Sequence, residues 1–99
     1  MVRKYYTYIL TNKGNKVLYV GMTNNLIRRI WEHKSKLIKG FTQIYNVDKL
    51  VYFEIFNSKE EAVKREKQLK AGSRKKKIDL INKNNPEWKE LFNLEVLYK

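Results

Sequence analysis

The run from Lys4 to Gly21 fixes a β-hairpin at the start of this chain, and everything that follows must pack against it. "KYYTYIL" (Lys4 to Leu10) alternates and is rich in aromatic and β-branched side chains, as a strand requires. "TNKGNK" (Thr11 to Lys16) reads as a turn, with Gly14 free to take positive φ. "VLYVG" (Val17 to Gly21) reads as the second strand. Side chains alternate along a strand. Tyr6, Tyr8 and Leu10 therefore share one face, and Val17, Tyr19 and Gly21 share one face of the neighbouring strand.

The remaining elements follow from periodicity and caps. "TNN" supplies helix N-cap oxygens, and the spacing predicts a helix over "NLIRRIWEHKSKL", Asn25 to Leu37. Leu26, Ile30, His33 and Leu37 form one stripe of it. Arg29 lies one turn before His33, so the two are surface neighbours at or beside the buried face. Ile38 to Asp48 reads as a connecting loop, and "KLVYFEIF" (Lys49 to Phe56) as a third strand. The next helix is well punctuated: Ser58 caps it, Glu61 completes a capping box, and Gly72 ends it. "SRKKKIDLINK" predicts a further helix capped by Ser73. "NPEWKELF" predicts another, with Asn85 as cap and Pro86 in the first helical position. The expected order is ββαβααα. This is an α/β fold with a small three-stranded antiparallel sheet flanked by helices. With no repeat, linker or low-complexity stretch in 99 residues, one domain over 1–99 is expected.

Charge narrows the partner. Twenty-two Lys and Arg stand against 10 Asp and Glu, a formal net charge of +12, which favours a polyanion and nucleic acid first. A solvated Lys-rich surface is the plainer reading. The absence of Cys rules out disulfides, thiolate metal sites and Cys nucleophiles. "MVRKYYTYIL" is too short and polar for a signal peptide, and no apolar run reaches membrane-spanning length. A cytoplasmic protein without membrane contact is expected, taken as a monomer.

Several residues admit both a structural and a chemical reading. Glu66 falls on the Ala62–Leu69 stripe, and a carboxylate there needs a partner. That partner is either a basic side chain such as Arg65 or Lys70, or a hard cation such as Mg²⁺, which takes oxygen ligands and keeps several waters. Arg29 either snorkels at the stripe's border or clamps a phosphate. His33 either bonds a backbone carbonyl at the core edge or relays a proton near neutral pH. Tyr8 and Tyr19 either pack or act as a general base, the latter only if nearby positive charge eases ionisation. The "SRKKK" run (Ser73 to Lys77) is a solvated helix face or a set of phosphate contacts. Trp31 and Trp88 read as packing.

Taken together, these positions resemble the GIY-YIG nuclease superfamily, in particular its small stand-alone single-domain members. "YTY" (Tyr6 to Tyr8) stands for the first motif and "YVG" (Tyr19 to Gly21) for the second. Thr23, Arg29, His33 and Glu66 match the later positions, and the resemblance runs from about Tyr5 to Leu91. It departs at Tyr6 and Thr7, where the family name has Gly and Ile. Asn82 and Asn85 are both candidates for a late Asn of the family, with Asn85 also accounted for as a cap. The chain carries no second DNA-binding domain of the kind many family members use for sequence specificity.

The resemblance implies metal-dependent hydrolysis of DNA phosphodiester bonds. Glu66 would hold one Mg²⁺ or Mn²⁺, and Arg29 would stabilise transition-state charge. Tyr8 or Tyr19 would activate or orient the attacking water, and His33 would tune a tyrosine's proton or touch the phosphate. Gly21 would allow a tight turn between strand and helix. Thr23, Arg28, Arg74, Lys75, Lys76 and Lys77 are expected nucleic-acid contacts. Branched, damaged or single-stranded DNA, and RNA, are all left open. The alternatives are a non-catalytic nucleic-acid-binding module on the same fold and a protein-interaction module with a basic surface. The nuclease reading requires Arg29, Glu66 and the tyrosines to meet in a partly open basic cleft.

Overall fold

A computed structural model describes residues 3–92. Its elements are β1 (Tyr5–Thr11), β2 (Leu18–Thr23), α1 (Leu26–Lys34), α2 (Phe41–Ile44), β3 (Lys49–Phe56), α3 (Lys59–Ala71) and α4 (Arg74–Asn84). The sheet is antiparallel in the order β2-β1-β3, which leaves β2 at an edge. The hairpin turn takes its left-handed residue at Asn15 (φ 59°) rather than at Gly14. Asn suits this because its short polar side chain tolerates that region.

β1 is the central strand, and both its faces are buried. Tyr8 and Leu10 pack with Leu26 and Ile30 of α1 and with Val47 and Leu50. On the other face Ile9 packs with Val20, Val51, Tyr52, Leu69 and Ile81, beneath α3 and α4. A register shift between Ile9 and Leu10 leaves Val51 as an extra residue in β3, which lets Val51 and Tyr52 serve the same face. Thr7 is fully buried, and its hydroxyl donates to the Ala62 carbonyl at 2.7 Å. The small Ala62 side chain admits α3 this close to the sheet, and the hydrogen bond satisfies a polar group that burial would otherwise penalise.

The two long caps behave as their sequences dictate. Ser58 Oγ accepts from the Glu61 backbone N–H at 3.2 Å, and Ser73 Oγ accepts from that of Lys76 at 3.1 Å. α1 is shorter than its apolar stripe. Lys36 adopts φ 60°, the Leu37 N–H donates back to the Glu32 carbonyl, and the Lys36 N–H donates to the His33 carbonyl. This is a Schellman closure with a lysine in the left-handed position. It ends the helix before Leu37, which is left 60% exposed instead of joining the core.

Two further expectations are corrected. The segment from Ile38 to Asp48 is not all loop, because α2 forms within it. "NPEWKELF" is not a helix: Asn85 is the C-cap of α4 rather than an N-cap. Its side chain is spent on tertiary bonds. The amide donates to the carbonyls of Val51 (3.0 Å) and Lys89 (2.9 Å), and its oxygen accepts from the Lys89 N–H. Leu91 then donates its N–H to the Leu50 carbonyl, and Glu90 accepts from the Leu50 N–H. A short isolated helix is marginal in water, whereas the outer edge of β3 offers unpaired backbone groups. The segment follows that edge. The observed order is therefore ββααβαα among the described residues.

Asn85→Ala should remove three hydrogen bonds from a residue that is only 8% exposed. A loss of about 1–3 kcal/mol is expected, read as a lower urea midpoint at unchanged slope.

Candidate active site

Tyr8 sits opposite Gly21 in the β1–β2 pairing. Gly21 does not take positive φ, so it does not serve as the turn residue expected of it. Its value is spatial. A Cβ there would lie 2.4 Å from the Tyr8 hydroxyl oxygen and 2.5 Å from the adjoining ring carbon. The Tyr8 ring thus lies over the one β2 residue without a side chain, where it is only 2% exposed.

Three rings meet there. The Tyr8, Tyr19 and His33 centroids lie 6.4, 6.0 and 5.7 Å apart in pairs. His33 Nε2 is 3.2 Å from the Tyr8 hydroxyl, and Nδ1 is 3.1 Å from the Thr42 hydroxyl. Both ring nitrogens are therefore engaged, and the chain Tyr8–His33–Thr42 links β1, α1 and α2. Burial, helped by the Arg29 guanidinium, pushes the imidazole down to about 4, so the ring is neutral at neutral pH. Burial pushes the Tyr8 phenol well above its ordinary value; Tyr19 and the Glu66 carboxylate add to the rise and Arg29 opposes it.

Arg29 and Glu66 thus push the ionisation of Tyr8 in opposite directions, although α1 and α3 pack on opposite faces of the sheet. Tyr8 itself is 2% exposed, so its hydroxyl lies within the core cluster rather than at an open surface. Arg29 Nε is buried and has no hydrogen-bond partner among the described residues. Glu32 Oε1 stands 3.8 Å away, an ion pair too long to be a hydrogen bond. A buried, unpaired guanidinium N–H suits an anionic oxygen. Glu66 lies between Ala62 and Leu69 with its side chain 20% exposed, and its carboxylate is 3.2 Å from Lys70, one turn on.

The donor set discriminates among metals. No group of three His, Cys, Asp or Glu among the described residues could hold an ion. That excludes a zinc-type cage built from these residues. A single carboxylate suits Mg²⁺ or Mn²⁺, which keep waters and take remaining oxygens from a phosphate.

The other predicted contacts scatter. Thr23 is buried, and its hydroxyl closes a local turn with Asn25 at the start of α1. Arg28 is exposed on α1. The basic run lies on α4, which packs on the face of the sheet away from Tyr8. Arg74 donates to the Lys16 carbonyl, Lys75 pairs with Asp79 at 2.7 Å, and Lys77 donates to the Gly72 carbonyl at 2.7 Å. Lys76 is exposed and lines a groove between α3 and α4. Asn82 accepts from Trp88 Nε1, so both late asparagines have structural partners. Two residues near the site escaped the sequence reading. Glu32 was accessible through its three-residue spacing from Arg29. Thr42 carried no periodic signal.

The profile of the GIY-YIG catalytic domain matches residues 4–79. The chain belongs to the GIY-YIG family. This is a nuclease family that generally acts on DNA, and the matched span includes Tyr8, Tyr19, Arg29, His33 and Glu66 while ending before Asn82. A UPF0213 protein of Staphylococcus saprophyticus is 39% identical over 79 residues, covering 80% of this chain and 95% of that protein. One from Clostridium perfringens is 43% identical over 77 residues, covering 78% and 82%. The solution NMR structure of a UPF0213 protein from Bacillus halodurans superposes with a TM-score of 0.56 at 33% identity, covering 88% of this chain and 92% of that one. The GIY-YIG fold is thus shared along nearly the whole described length. Among the described residues, no helix is long and apolar enough to cross a membrane.

Gly21→Ala should displace the Tyr8 ring, since the added methyl cannot share its space. A destabilisation of about 1–3 kcal/mol is expected in urea unfolding. The His33 ring predicts a pH dependence. Between about 6.5 and about 4 the unfolded chain binds a proton on this ring that the folded chain excludes. Stability present above that window should fall as pH drops through it, by up to about 1.4 kcal/mol per unit. Urea midpoints across the window should fall less steeply in His33→Gln.

Proposed function

We propose that this chain is a metal-dependent endonuclease that hydrolyses DNA phosphodiester bonds at the Tyr8 edge of the sheet. The observation that carries this reading is the buried, unpaired Arg29 Nε–H one helical turn from His33, whose ring bonds the Tyr8 hydroxyl. Membership of a nuclease family supports it.

The chemistry is displacement at phosphorus by water, with departure of a sugar oxygen. Negative charge builds on the phosphoryl oxygens as the water attacks. The unpaired Arg29 Nε–H would hold one of them, through a hydrogen bond that strengthens as that charge grows. Glu66 would hold a Mg²⁺ or Mn²⁺, which supplies Lewis-acid stabilisation of the phosphate and leaving oxygen.

The attacking water must lose a proton. Burial disfavours both a free phenolate at Tyr8 and an imidazolium at His33. With Nδ1–H donating to Thr42, the neutral His33 would accept the Tyr8 O–H at Nε2 and so orient the Tyr8 oxygen toward the water. Proton loss from that water would be eased by the cation that Glu66 would hold. Tyr19 walls the same space.

Purified protein should cleave DNA with Mg²⁺ or Mn²⁺ and lose this activity in chelator. Glu66→Ala and Arg29→Ala should each reduce the rate by about 100-fold or more. Salt-sensitive DNA binding without cleavage on intact, nicked, flapped or single-stranded substrates would favour a non-catalytic binding module instead.

A further inference from the structure

We infer that the outer face of α2 is a stacking platform for unpaired nucleobases, so that the strand held at the Tyr8 edge is single-stranded or splayed beside the cut. The inference rests on the reading of that edge as a phosphate site.

α2 is a single turn with two unlike sides. Phe41, Ile44 and Tyr45 fall at i, i+3 and i+4, on one side, and are 48%, 68% and 52% exposed. The Phe41 and Tyr45 rings lie together, 5.0 Å between centroids and tilted by 50°. Such a face does nothing for the core, which already closes without it. Three adjoining large apolar side chains turned to solvent in so charged a chain mark a contact surface.

The inner side is fixed. Thr42 is 5% exposed, bonds to His33 Nδ1 and accepts the Val47 N–H at 2.8 Å through its carbonyl. Gln43 donates to the Lys36 carbonyl. The exposed rings are therefore held by the same imidazole that contacts the Tyr8 hydroxyl. The platform and the Tyr8 hydroxyl are thus joined through one imidazole.

Charge selects the occupant. Two copies of a chain with net charge +12 repel each other, which disfavours self-association through this face. A nucleic-acid strand satisfies both demands at once. Its phosphates meet the positive field, where Lys39 stands exposed beside Phe41, and its bases offer π-faces to the rings. Bases in an intact duplex are already stacked, so the platform would accept only unpaired ones.

The test is fluorescence anisotropy with the full chain in chelator, comparing labelled oligothymidine with a blunt duplex of equal length. Wild type should bind the single strand about tenfold more tightly. The double variant Phe41→Ala, Tyr45→Ala should lose that advantage, keep duplex affinity, and keep the salt dependence because no charge is removed. Phe41→Tyr, Tyr45→Phe should restore it. Thermal melting establishes that each variant is folded. Equal affinity of wild type for both probes, or a loss shared equally between them, overturns the inference. So does concentration-dependent dimerisation by sedimentation that the double variant abolishes, which would make the face a self-association surface. Failure of the nuclease reading is separately visible: cleavage would be absent or insensitive to Glu66→Ala while the strand preference stood.

Discussion

Tyr8 lying across Gly21 is the contact on which both fold and site depend. A tyrosine hydroxyl in the core needs a partner, at some cost if it finds none. The missing side chain on β2 leaves a path for the buried ring over that strand. The hydroxyl then finds His33, and His33 in turn fixes α2 through Thr42. A larger residue at position 21 would close the path and separate these groups.

The same geometry explains how a small domain assembles a site from two layers. β1 is covered on both faces, so residues on α1 and α3 are separated by the sheet. Arg29 from one layer and Glu66 from the other both bear on the ionisation of Tyr8, whose hydroxyl bonds the neutral His33. The basic run at the start of α4 is elsewhere, and three of its four cations are tied to Lys16, Asp79 and Gly72. Net charge therefore described the chain's field but not where that field meets a ligand.

Legibility followed the range of the interactions. The strands, both serine caps and the α1 stripe through His33 depend on neighbours within a few residues, and their signals stood in the sequence. β3 was read with its observed bounds, Lys49 to Phe56. The failures involve longer reach. Asn85 looks like a helix cap until Val51, far away in the chain, offers its carbonyl. Leu37 continues the stripe until the left-handed Lys36 turns the backbone away. Thr42 has no local signal because its partner is an imidazole on another helix.

By itself the sequence determined the hairpin, the helical faces and the set of side chains that mark a GIY-YIG domain. Each of these is carried by residue type and spacing along one strand or one turn. Tertiary structure alone decided that Gly21 is room for a ring rather than a turn, that His33 is neutral, and that Arg29 keeps an unpaired N–H. It also decided which cations are free and which are spent. These are consequences of burial and of contacts between distant segments, and neither is a property of any stretch of chain taken alone.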